Sequence, residues 1–426
     1  MHGILALALL VTLAAAPASA GEDAFGRLLD GAVENAAAAM DLEALKSLSF
    51  EREALGGGVA HYSFRLRVGP GDFEEIRLHR IVRERAPFLP IRSSRAVFLV
   101  HGAAWGFAPS FLDLSVFLAG NDVDVWGVDL RWTLVPEDTS DFSFMADWGL
   151  GTDVGDVDAG LAVARALRLA TGSGLSKLVL LGWSRGGQIA YAQASAETRR
   201  PAFFRHVRGI IPVDIHFKTD DETVRQAACA SYATIQGQID AGFFASGFAV
   251  VGEIGDLAAS APEDPSPFFP IVSNADFAEL IGAEAALSGP FPFLHSVGGI
   301  IDPDTLATEL LYTSPERWFA FLSGVSPYQP LRIDLEGALL VCDELDSPYD
   351  DHLEEVTVPV LFVGAAGGYG EVGLYSTTLV GSSDVTTLMV SQTSDPVEDW
   401  GHSDLFLAAG AEALVWQPIL DWIETR

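Results

Sequence analysis

The residues best suited to catalysis are a serine and a histidine that lie far apart along the chain. Ser184 stands at the centre of the pentapeptide GWSRG (residues 182–186), which matches the pattern G-x-S-x-G. A buried strand is predicted to end at Leu181, and a helix rich in small residues is predicted to follow. A serine in such a strand-to-helix turn presents its hydroxyl at the carboxyl edge of a sheet. This context predicts that Ser184 is a nucleophile; the alternative is a purely structural turn, since 42 glycines make chance matches common.

A serine nucleophile requires a base, and His402 is the best candidate. It lies in the hexapeptide DWGHSD (residues 399–404), after the last predicted strand and before the last predicted helix. A loop at that point can bring an imidazole back to the serine. The remaining candidates are less suitable because they fall in a predicted hairpin or in the middle of the chain: His61, His79, His295 and His352.

Two carboxylates compete for the role of orienting this imidazole. Asp214 directly follows a predicted strand, and Glu371 lies in a glycine-rich loop after another. Either could hold the ring and stabilise the imidazolium. We favour Asp214 and keep Glu371 as the alternative, with Asp395 and Asp399 as less suitable candidates. Asp214 could instead cap a helix at its N-terminus.

Backbone N–H groups near the serine could form an oxyanion hole. The predicted strand Ala96–Val100 is followed by HGAAW (residues 101–105), and the turn after such a strand can place an N–H beside the nucleophile. Ala103 is our candidate for this donor, together with the N–H of Arg185. His101 is expected to have a structural role beneath the loop.

The elements around these residues alternate between strands and helices. A hairpin is predicted at His61–Val68 and Phe73–Val82, after a helix at Asp23–Ser47. Further elements are predicted in this order: strands Ala96–Val100 and Val123–Val128, helix Asp156–Ala170, strand Leu178–Leu181, helix Gln188–Glu197, strands Gly209–Val213, Val358–Val363 and Asp384–Val390, and helix Ala408–Ile423. Such alternation is typical of a mostly parallel sheet flanked by helices. On the helix Asp156–Ala170, the apolar spacing predicts that Arg165 and Arg168 point away from the core.

The strand pattern is interrupted for about 140 residues in the second half of the chain. Residues 216–355 show helices and Pro-rich loops without convincing buried strands. We therefore predict a helical cap at 216–355, inserted into a core made of residues 21–215 and 356–426. The cap should cover the carboxyl edge of the sheet, where ligands bind in such folds, and should present apolar surface there. Cys229 and Cys342, the only cysteines, could form a disulfide or remain buried thiols.

These features together resemble the α/β-hydrolase superfamily. The resemblance rests on His101-Gly102, the GWSRG turn and Gly401-His402, and it covers roughly residues 96–214 and 356–426. It implies an α/β-hydrolase fold with a cap and a serine hydrolase that needs no metal or organic cofactor. The sequence departs from the superfamily where the acid usually stands, because Gly367 occupies that position. Carboxylic esters are the expected substrates. Amidase, thioesterase and acyltransferase chemistry remain alternatives, as does a non-catalytic binding protein.

Two further patterns have weaker functional interpretations. GYGEVG (residues 368–373) matches the dinucleotide-binding pattern G-x-G-x-x-G, but it starts several residues after its strand and no clear helix is predicted after it. A glycine loop near the active site is the favoured interpretation. The acidic run at 343–355 lacks the ligand spacing and the central glycine of a calcium loop, which favours a solvated surface.

Charge and composition limit the partners and the location. The chain of 426 residues has 25 Lys+Arg against 58 Asp+Glu, a net charge of −33, which argues against nucleic acids and anionic membrane surfaces as partners. Ile4–Leu13 followed by Ala18-Ser19-Ala20 predicts a cleaved export signal at residues 1–20, and no stretch is long enough to span a membrane. We therefore expect an exported protein, periplasmic or secreted, that acts on a small and mainly apolar ester or acyl compound.

Overall fold

The computed structural model describes residues 49–285 and 293–426. The predicted export signal (residues 1–20) and the predicted helix Asp23–Ser47 lie outside these residues. The strands are β1 (Ser49–Gly56), β2 (Val59–Arg67), β3 (Glu75–Ala86), β4 (Leu89–Pro90), β5 (Ala96–Val100), β6 (Asp124–Asp129), β7 (Leu178–Trp183), β8 (Val207–Val213), β9 (Ala245–Gly247), β10 (Gly299–Ile301), β11 (Thr308–Leu310), β12 (Tyr328–Pro330), β13 (Val360–Ala365) and β14 (Val385–Val390). The α-helices are α1 (Phe107–Gly120), α2 (Leu150–Ala170), α3 (Arg185–Thr198), α4 (Glu222–Asp240), α5 (Ala249–Ser260), α6 (Asn274–Ala283), α7 (Pro315–Ser323), α8 (Leu331–Cys342), α9 (Gly370–Thr377), α10 (Asp404–Leu407) and α11 (Gln417–Glu424).

A mostly parallel central sheet organises the molecule, as the sequence predicts. Its strand order is β1-β2-β3-β6-β5-β7-β8-β13-β14, and β4 pairs with β3 at the side. The six strands from β6 to β14 in this order run parallel, whereas β1, β2 and β3 are antiparallel. The predicted hairpin is therefore present as β2 and β3, extended at its open edge by β1, a strand that the sequence did not indicate.

The continuous apolar strands arise because helices cover both faces of the sheet. Along β5, Phe98 and Val100 pack into the core on one face, while Val97 and Leu99 pack into the core on the other. Side chains alternate between faces along a strand, so a strand covered on both sides needs apolar residues throughout. The carboxyl ends of β5, β7, β8 and β13 consequently meet at one edge, which positions the candidate site.

The prediction that Arg168 faces solvent is wrong. Its guanidinium is buried and donates to the Oδ2 atom of Asp124 at 2.7 Å, and Arg80 donates to both oxygens of the same carboxylate at 2.8 and 2.9 Å. A buried carboxylate needs such partners because an unpaired charge inside a protein is costly. Asp124, which interrupts the apolar pattern of β6, is thus one member of a buried ion cluster.

The segment between β8 and β13 is mainly helical and contains α4 to α8. It also carries two small antiparallel pairs, β10 with β11 and β12 with β9, each strand three residues long, which the sequence did not indicate. A disulfide joins Cys229 on α4 to Cys342 at the end of α8, so the question that the sequence left open is answered in favour of pairing. The bond ties two helices of this segment together over 113 residues.

The predicted closing helix Ala408–Ile423 is present as a continuous helical stretch at 411–424, which starts three residues later than predicted. The chain forms α10, then a π-helical turn at Glu412–Trp416, and then α11, which begins with Pro418 in its first turn. Proline has no N–H to donate to the preceding helical turn, which is consistent with the irregular π-helical geometry just before it. Among the described residues, no helix is long and apolar enough to cross a membrane.

Candidate active site

Ser184 lies in a strained turn between β7 and α3. Its backbone has φ of 55°, in the left-handed region that L-residues rarely adopt. The flanking glycines make this turn possible: a Cβ on Gly182 would clash with the Gly186 carbonyl, and one on Gly186 would clash with the Val100 carbonyl. The backbone N–H of Ser184 donates to the Val213 carbonyl at 2.9 Å, which anchors the turn to β8.

His402 and Asp214 are joined directly at the end of the sheet. The Nδ1 atom of His402 lies 2.6 Å from the Oδ2 atom of Asp214, whose side chain is fully buried. The carboxylate also accepts from the N–H of Ala365 at 2.8 Å and from the N–H of Tyr369 at 3.1 Å. Since a carboxylate only accepts, Nδ1 carries the proton and Nε2 is left with its lone pair.

Aromatic rings hold the imidazole of His402 in place. The indole of Trp183 stacks on it with ring centroids 4.9 Å apart, and the phenol of Tyr369 meets it edge-on at 5.4 Å. Trp183 is the variable residue just before the nucleophile in the GWSRG pattern. Its packing role and that of Tyr369 were missed at the sequence level, because only the folded sheet brings residues 183, 369 and 402 together.

Ser184 and His402 line the same cavity, as their predicted roles require. The structure brings the two side chains to one void, although no hydrogen bond joins them in this conformation. Rotation about the Cα–Cβ bond moves a serine hydroxyl, and catalytic hydrogen bonds often tighten only when substrate is bound.

The other candidate acids lie elsewhere. Glu371 is exposed in the first turn of α9. The carboxylate of Asp399 accepts from the N–H groups of Gln392, Thr393 and Trp400, so it organises its own loop. Asp395 is exposed and accepts from the N–H of Val397.

Glycines after β13 make room for the buried acid. A Cβ on Gly368 would clash with the carboxylate of Asp214, and one on Gly367 would clash with the ring of His295. His295 lies between two carbonyls, with Nδ1 2.8 Å from the Phe293 oxygen and Nε2 2.9 Å from the Asp399 oxygen. Its own carbonyl accepts from the N–H of His402 at 2.9 Å. His295 thus supports the loop of His402.

The two predicted oxyanion donors are positioned next to the serine. A Cβ on Gly102 would lie 3.0 Å from the Cβ of Ser184, so the loop after β5 passes directly beside the nucleophile. Within residues 49–285 and 293–426, neither the N–H of Ala103 nor that of Arg185 donates to another group. His101 has the structural place expected of it: the ring is buried, Nδ1 lies 2.8 Å from the Gly102 carbonyl, and Nε2 accepts from the N–H of Leu130.

Two cavities meet at Ser184. The first, here called the aromatic cavity, has a volume of about 430 Å³. It is lined mainly by large apolar side chains from the core and from the segment between β8 and β13, here called the insertion: Trp105, Trp183, Phe248, Val251, Ile281, Leu294, Trp318 and Leu322. The second, here called the helical cavity, has a volume of about 560 Å³ and lies between α4 and α8, with these residues from the two helices: Val224, Ala227, Ala228, Ser231, Ile235, Asp334, Gly337, Ala338 and Val341. Ala103, Ser184 and Tyr369 border both.

Titratable groups in the helical cavity are neutral or paired near pH 7. Burial, with a contribution from the Arg185 cation, lowers the pKa of His216 to about 4. Burial raises the pKa of Tyr369 to about 12. The guanidinium of Arg185 pairs with Asp334, with Nη2 and Oδ1 3.0 Å apart. The cavity therefore suits an apolar ligand better than a strongly charged one.

The residues of the two weaker sequence patterns have structural contacts in the fold. A helix, α9, begins inside the GYGEVG pattern at Gly370, whereas the sequence predicted no clear helix after it. The glycines of the pattern serve packing: Gly368 faces Asp214, and a Cβ on Gly373 would clash with Phe362. In the acidic run, Glu344 lies near the sulfurs of Cys229 and Cys342. Those sulfurs form the disulfide and so provide no thiolate ligands.

Comparison with solved structures identifies the fold. A protein from Sulfolobus solfataricus that is provisionally described as a lipase superposes with a TM-score of 0.62 at 19% identity, covering 89% of this chain and 99% of that one. A thermophilic esterase from Thermogutta terrifontis (TM-score 0.45, 15% identity, 85% and 97% covered) and a monoglyceride lipase variant from Saccharomyces cerevisiae (TM-score 0.45, 13% identity, 89% and 95% covered) are more distant. No protein-family model and no curated protein matches the sequence. The chain has the α/β-hydrolase fold, as its motifs predicted.

Proposed function

We propose that the chain is an exported serine hydrolase that cleaves carboxylic esters. One observation carries the proposal: the imidazole of His402, held through Nδ1 by buried Asp214, lines the same cavity as the strained nucleophile turn of Ser184. A serine, a base and an acid in this order and arrangement are what acyl transfer requires. The similarity to the Sulfolobus solfataricus protein supports the fold alone.

The mechanism follows from these positions. The Nε2 atom of His402 takes the proton from the Ser184 hydroxyl as its oxygen attacks the carbonyl carbon of the ester. Asp214 stabilises the imidazolium that results, and the N–H groups of Ala103 and Arg185 stabilise the negative oxygen of the tetrahedral intermediate. The imidazolium then protonates the leaving alcohol, and the acyl group stays on Ser184.

A water molecule completes the cycle. His402 removes a proton from this water, whose oxygen attacks the acyl carbon, and a second tetrahedral intermediate releases the carboxylic acid and free Ser184. No step calls for a metal or an organic cofactor. The lining of the two cavities supports a mainly apolar substrate, with one part of the ester on either side of Ser184.

The non-catalytic alternative had one argument in its favour, the glycines at the usual position of the acid. The bond between Asp214 and His402 weighs against that argument, since it offers an acid from the end of the neighbouring strand. Amide, thioester and acyl-transfer chemistry use the same groups and differ from ester hydrolysis only in the leaving group or acceptor.

A fluorophosphonate probe together with p-nitrophenyl esters of increasing chain length tests the proposal. The wild type should become labelled at Ser184 and hydrolyse the esters, and Ser184→Ala should do neither. Ser231→Ala is the matched control, because this hydroxyl lines the helical cavity without a proposed role. If the wild type is neither labelled nor active toward any ester, the proposal is wrong.

Export is tested separately by sequencing the N-terminus of the mature protein. Cleavage of the predicted signal leaves Gly21 as the first residue. Recovery of a chain that still carries residues 1–20 would contradict this part of the proposal.

A further inference from the structure

The loop that carries Ala103 is fastened to the insertion. The N–H of Ala104 donates to the Oε1 atom of Gln329 at 2.8 Å, and the carbonyl of Ala104 accepts from the N–H of Ser326 at 2.7 Å. The indole of Trp105 donates to the Phe321 carbonyl at 2.7 Å and stacks on the Phe321 ring. Residues 321–329 of the insertion thus hold both the N–H and the carbonyl of Ala104, the residue next to Ala103.

Ala104 needs this support because its backbone is strained. It has φ of 65°, and it forms the centre of a tight turn in which the N–H of Trp105 donates to the Ala103 carbonyl at 2.9 Å. Left-handed backbone is unfavourable for an alanine, and such turns persist only where neighbouring contacts enforce them. If the turn relaxed, Ala103 would move with it.

The side-chain amide of Gln329 has one orientation, with its oxygen toward the N–H of Ala104. Its side chain is buried, with 1% exposed, and its Nε2 atom donates to the Oδ1 atom of Asp334 at 2.9 Å. Because a carboxylate cannot donate, Asp334 fixes which end of the amide is the donor and turns the carbonyl toward Ala104.

The same carboxylate is tied to the nucleophile turn. The Oδ1 atom of Asp334 also accepts from the Nη2 atom of Arg185, and the Nη1 atom of Arg185 donates to Gln188 at 2.5 Å. Gly337 on α8 gives the guanidinium its space, since a Cβ there would clash with Nη1. A continuous chain of contacts therefore runs from Arg185 through Asp334 and Gln329 to Ala104.

We propose that Gln329, oriented by Asp334, is a positioning residue that holds the Ala103 N–H ready for the oxyanion. The inference rests on the proposed function and goes beyond it, since it makes the insertion part of the catalytic apparatus as well as a cover. The oxyanion forms only after Ser184 attacks, so this role affects the transition state more than the binding of substrate.

Steady-state kinetics on Gln329→Leu test the role. We expect kcat to fall about 10- to 100-fold, short of the ~10²–10³-fold loss caused by removing a whole donor, while KM stays within about twofold. The inhibition constant of an alkylboronic acid, which forms a tetrahedral adduct on a catalytic serine, should rise by the same factor as kcat/KM falls. A merely structural role would not couple these two quantities.

Glu336→Gln is the matched control. Glu336 lies on α8, as Asp334 does, and accepts hydrogen bonds from the N–H of Leu150 and the hydroxyl of Tyr349, which hold that helix against the core. Neither of these bonds involves the loop of Ala103. The control should lose stability and keep its kcat within about twofold. Equal kcat losses in the two variants would overturn the inference.

A polarity swap tests the same link without an apolar substitution. Gln329→Glu should lower kcat at least tenfold, because it places two carboxylates against each other. Adding Asp334→Asn removes one of these two charges and supplies an amide N–H for the new carboxylate, so the double variant should have a kcat at least threefold above that of Gln329→Glu. Failure to recover would overturn the inference. Fluorophosphonate labelling of the wild type separates the two proposals. If the wild type is not labelled, the proposed hydrolase function is wrong. If the wild type is labelled and active and the Gln329 variants are fully active, only the role of Gln329 is refuted.

Discussion

The carboxylate of Asp214 fills the space that a side chain on Gly368 would need. The α/β-hydrolases that this chain resembles usually place their acid in the loop after the strand that is β13 here. In this chain Gly367 and Gly368 stand in that loop, and the space beside them is filled by the carboxylate of Asp214, which directly follows β8. The exchange is possible because β8 and β13 are hydrogen-bonded neighbours in the sheet. An acid at the end of either strand can therefore reach the same imidazole.

Asp214→Asn should nearly abolish turnover, whereas Glu371→Gln should leave it within about twofold. Replacing the acid leaves the geometry intact but no longer holds the imidazole in the productive tautomer, and a loss of about 10⁴-fold in kcat is expected. The measurement is kcat for a p-nitrophenyl ester in both variants. A large loss in Glu371→Gln together with an active Asp214→Asn would show that the acid is assigned to the wrong residue.

Gly368→Ala should impair catalysis without unfolding the protein. The added methyl group meets the carboxylate of Asp214, so the bond to His402 should be displaced and kcat should fall by at least tenfold. Gly237→Ala on α4 is the control, because a Cβ there meets no atom within 4 Å. That variant should keep its activity and gain up to ~1 kcal/mol of stability. An unchanged kcat in Gly368→Ala would contradict the steric argument.

Asp404 should make the stability of the fold depend on pH. Burial raises the pKa of this carboxyl to about 6, even though Thr313, Gly298 and Gly401 donate hydrogen bonds to it. The usual value is near 4, so the folded state binds the proton more tightly than the unfolded chain does. The resulting stabilisation is complete below about pH 4 and is lost as pH rises to about 6.

The pH effect is best measured as a difference between variants. Asp404→Asn is similar in shape and does not titrate, so the free energy of unfolding of the wild type should fall by roughly 2 kcal/mol relative to this variant between pH 4 and pH 6. Urea unfolding of both proteins at several pH values gives this difference. The subtraction cancels the contributions of the other titrating groups to the free energy of unfolding. A difference that does not change with pH would show that Asp404 titrates normally.

Loss of the Cys229–Cys342 disulfide should lower both stability and substrate affinity. Closing a loop of 113 residues accounts for about 4–5 kcal/mol on the chain-entropy model. The bond also joins α4 to α8, the two walls of the helical cavity, so the double variant Cys229→Ala/Cys342→Ala should show a raised KM for long-chain esters. A reductant should affect the wild type in the same way and leave the double variant unchanged. Wild-type KM and stability in the double variant would refute this.

The parts of the site that depend on local pattern were predictable from the sequence. The strand, the glycines and the serine of residues 178–186 specify a sharp turn over a few consecutive positions, and His402 stands between a strand and a helix. The central parallel sheet followed from apolar strands such as β5. These features need only short-range geometry and burial.

The rest depends on pairings between distant residues. The choice between Asp214 and Glu371 required knowing that residues 365–369 wrap around the end of β8. Strand β1 was missed because Glu51, Arg52 and Glu53 make it polar, as befits the edge of a sheet. Gln329 gave no signal, since one glutamine before a helix has no distinguishing pattern. Arg168 seemed exposed because periodicity alone does not reveal a buried ionic partner 44 residues away.

The pairing of β8 with β13 has a consequence for how this fold can be changed. The chain leaves the sheet at one strand and re-enters at its immediate neighbour, with Val213 beside Val363. An exchange of residues 216–355 alone leaves Asp214 in place and need not shift the register of any strand. A transplanted segment must then replace the support that the carbonyl of His295 gives to the N–H of His402. If Gln329 has its proposed role, the segment must also bring an amide to meet Ala104, and selectivity is coupled to rate.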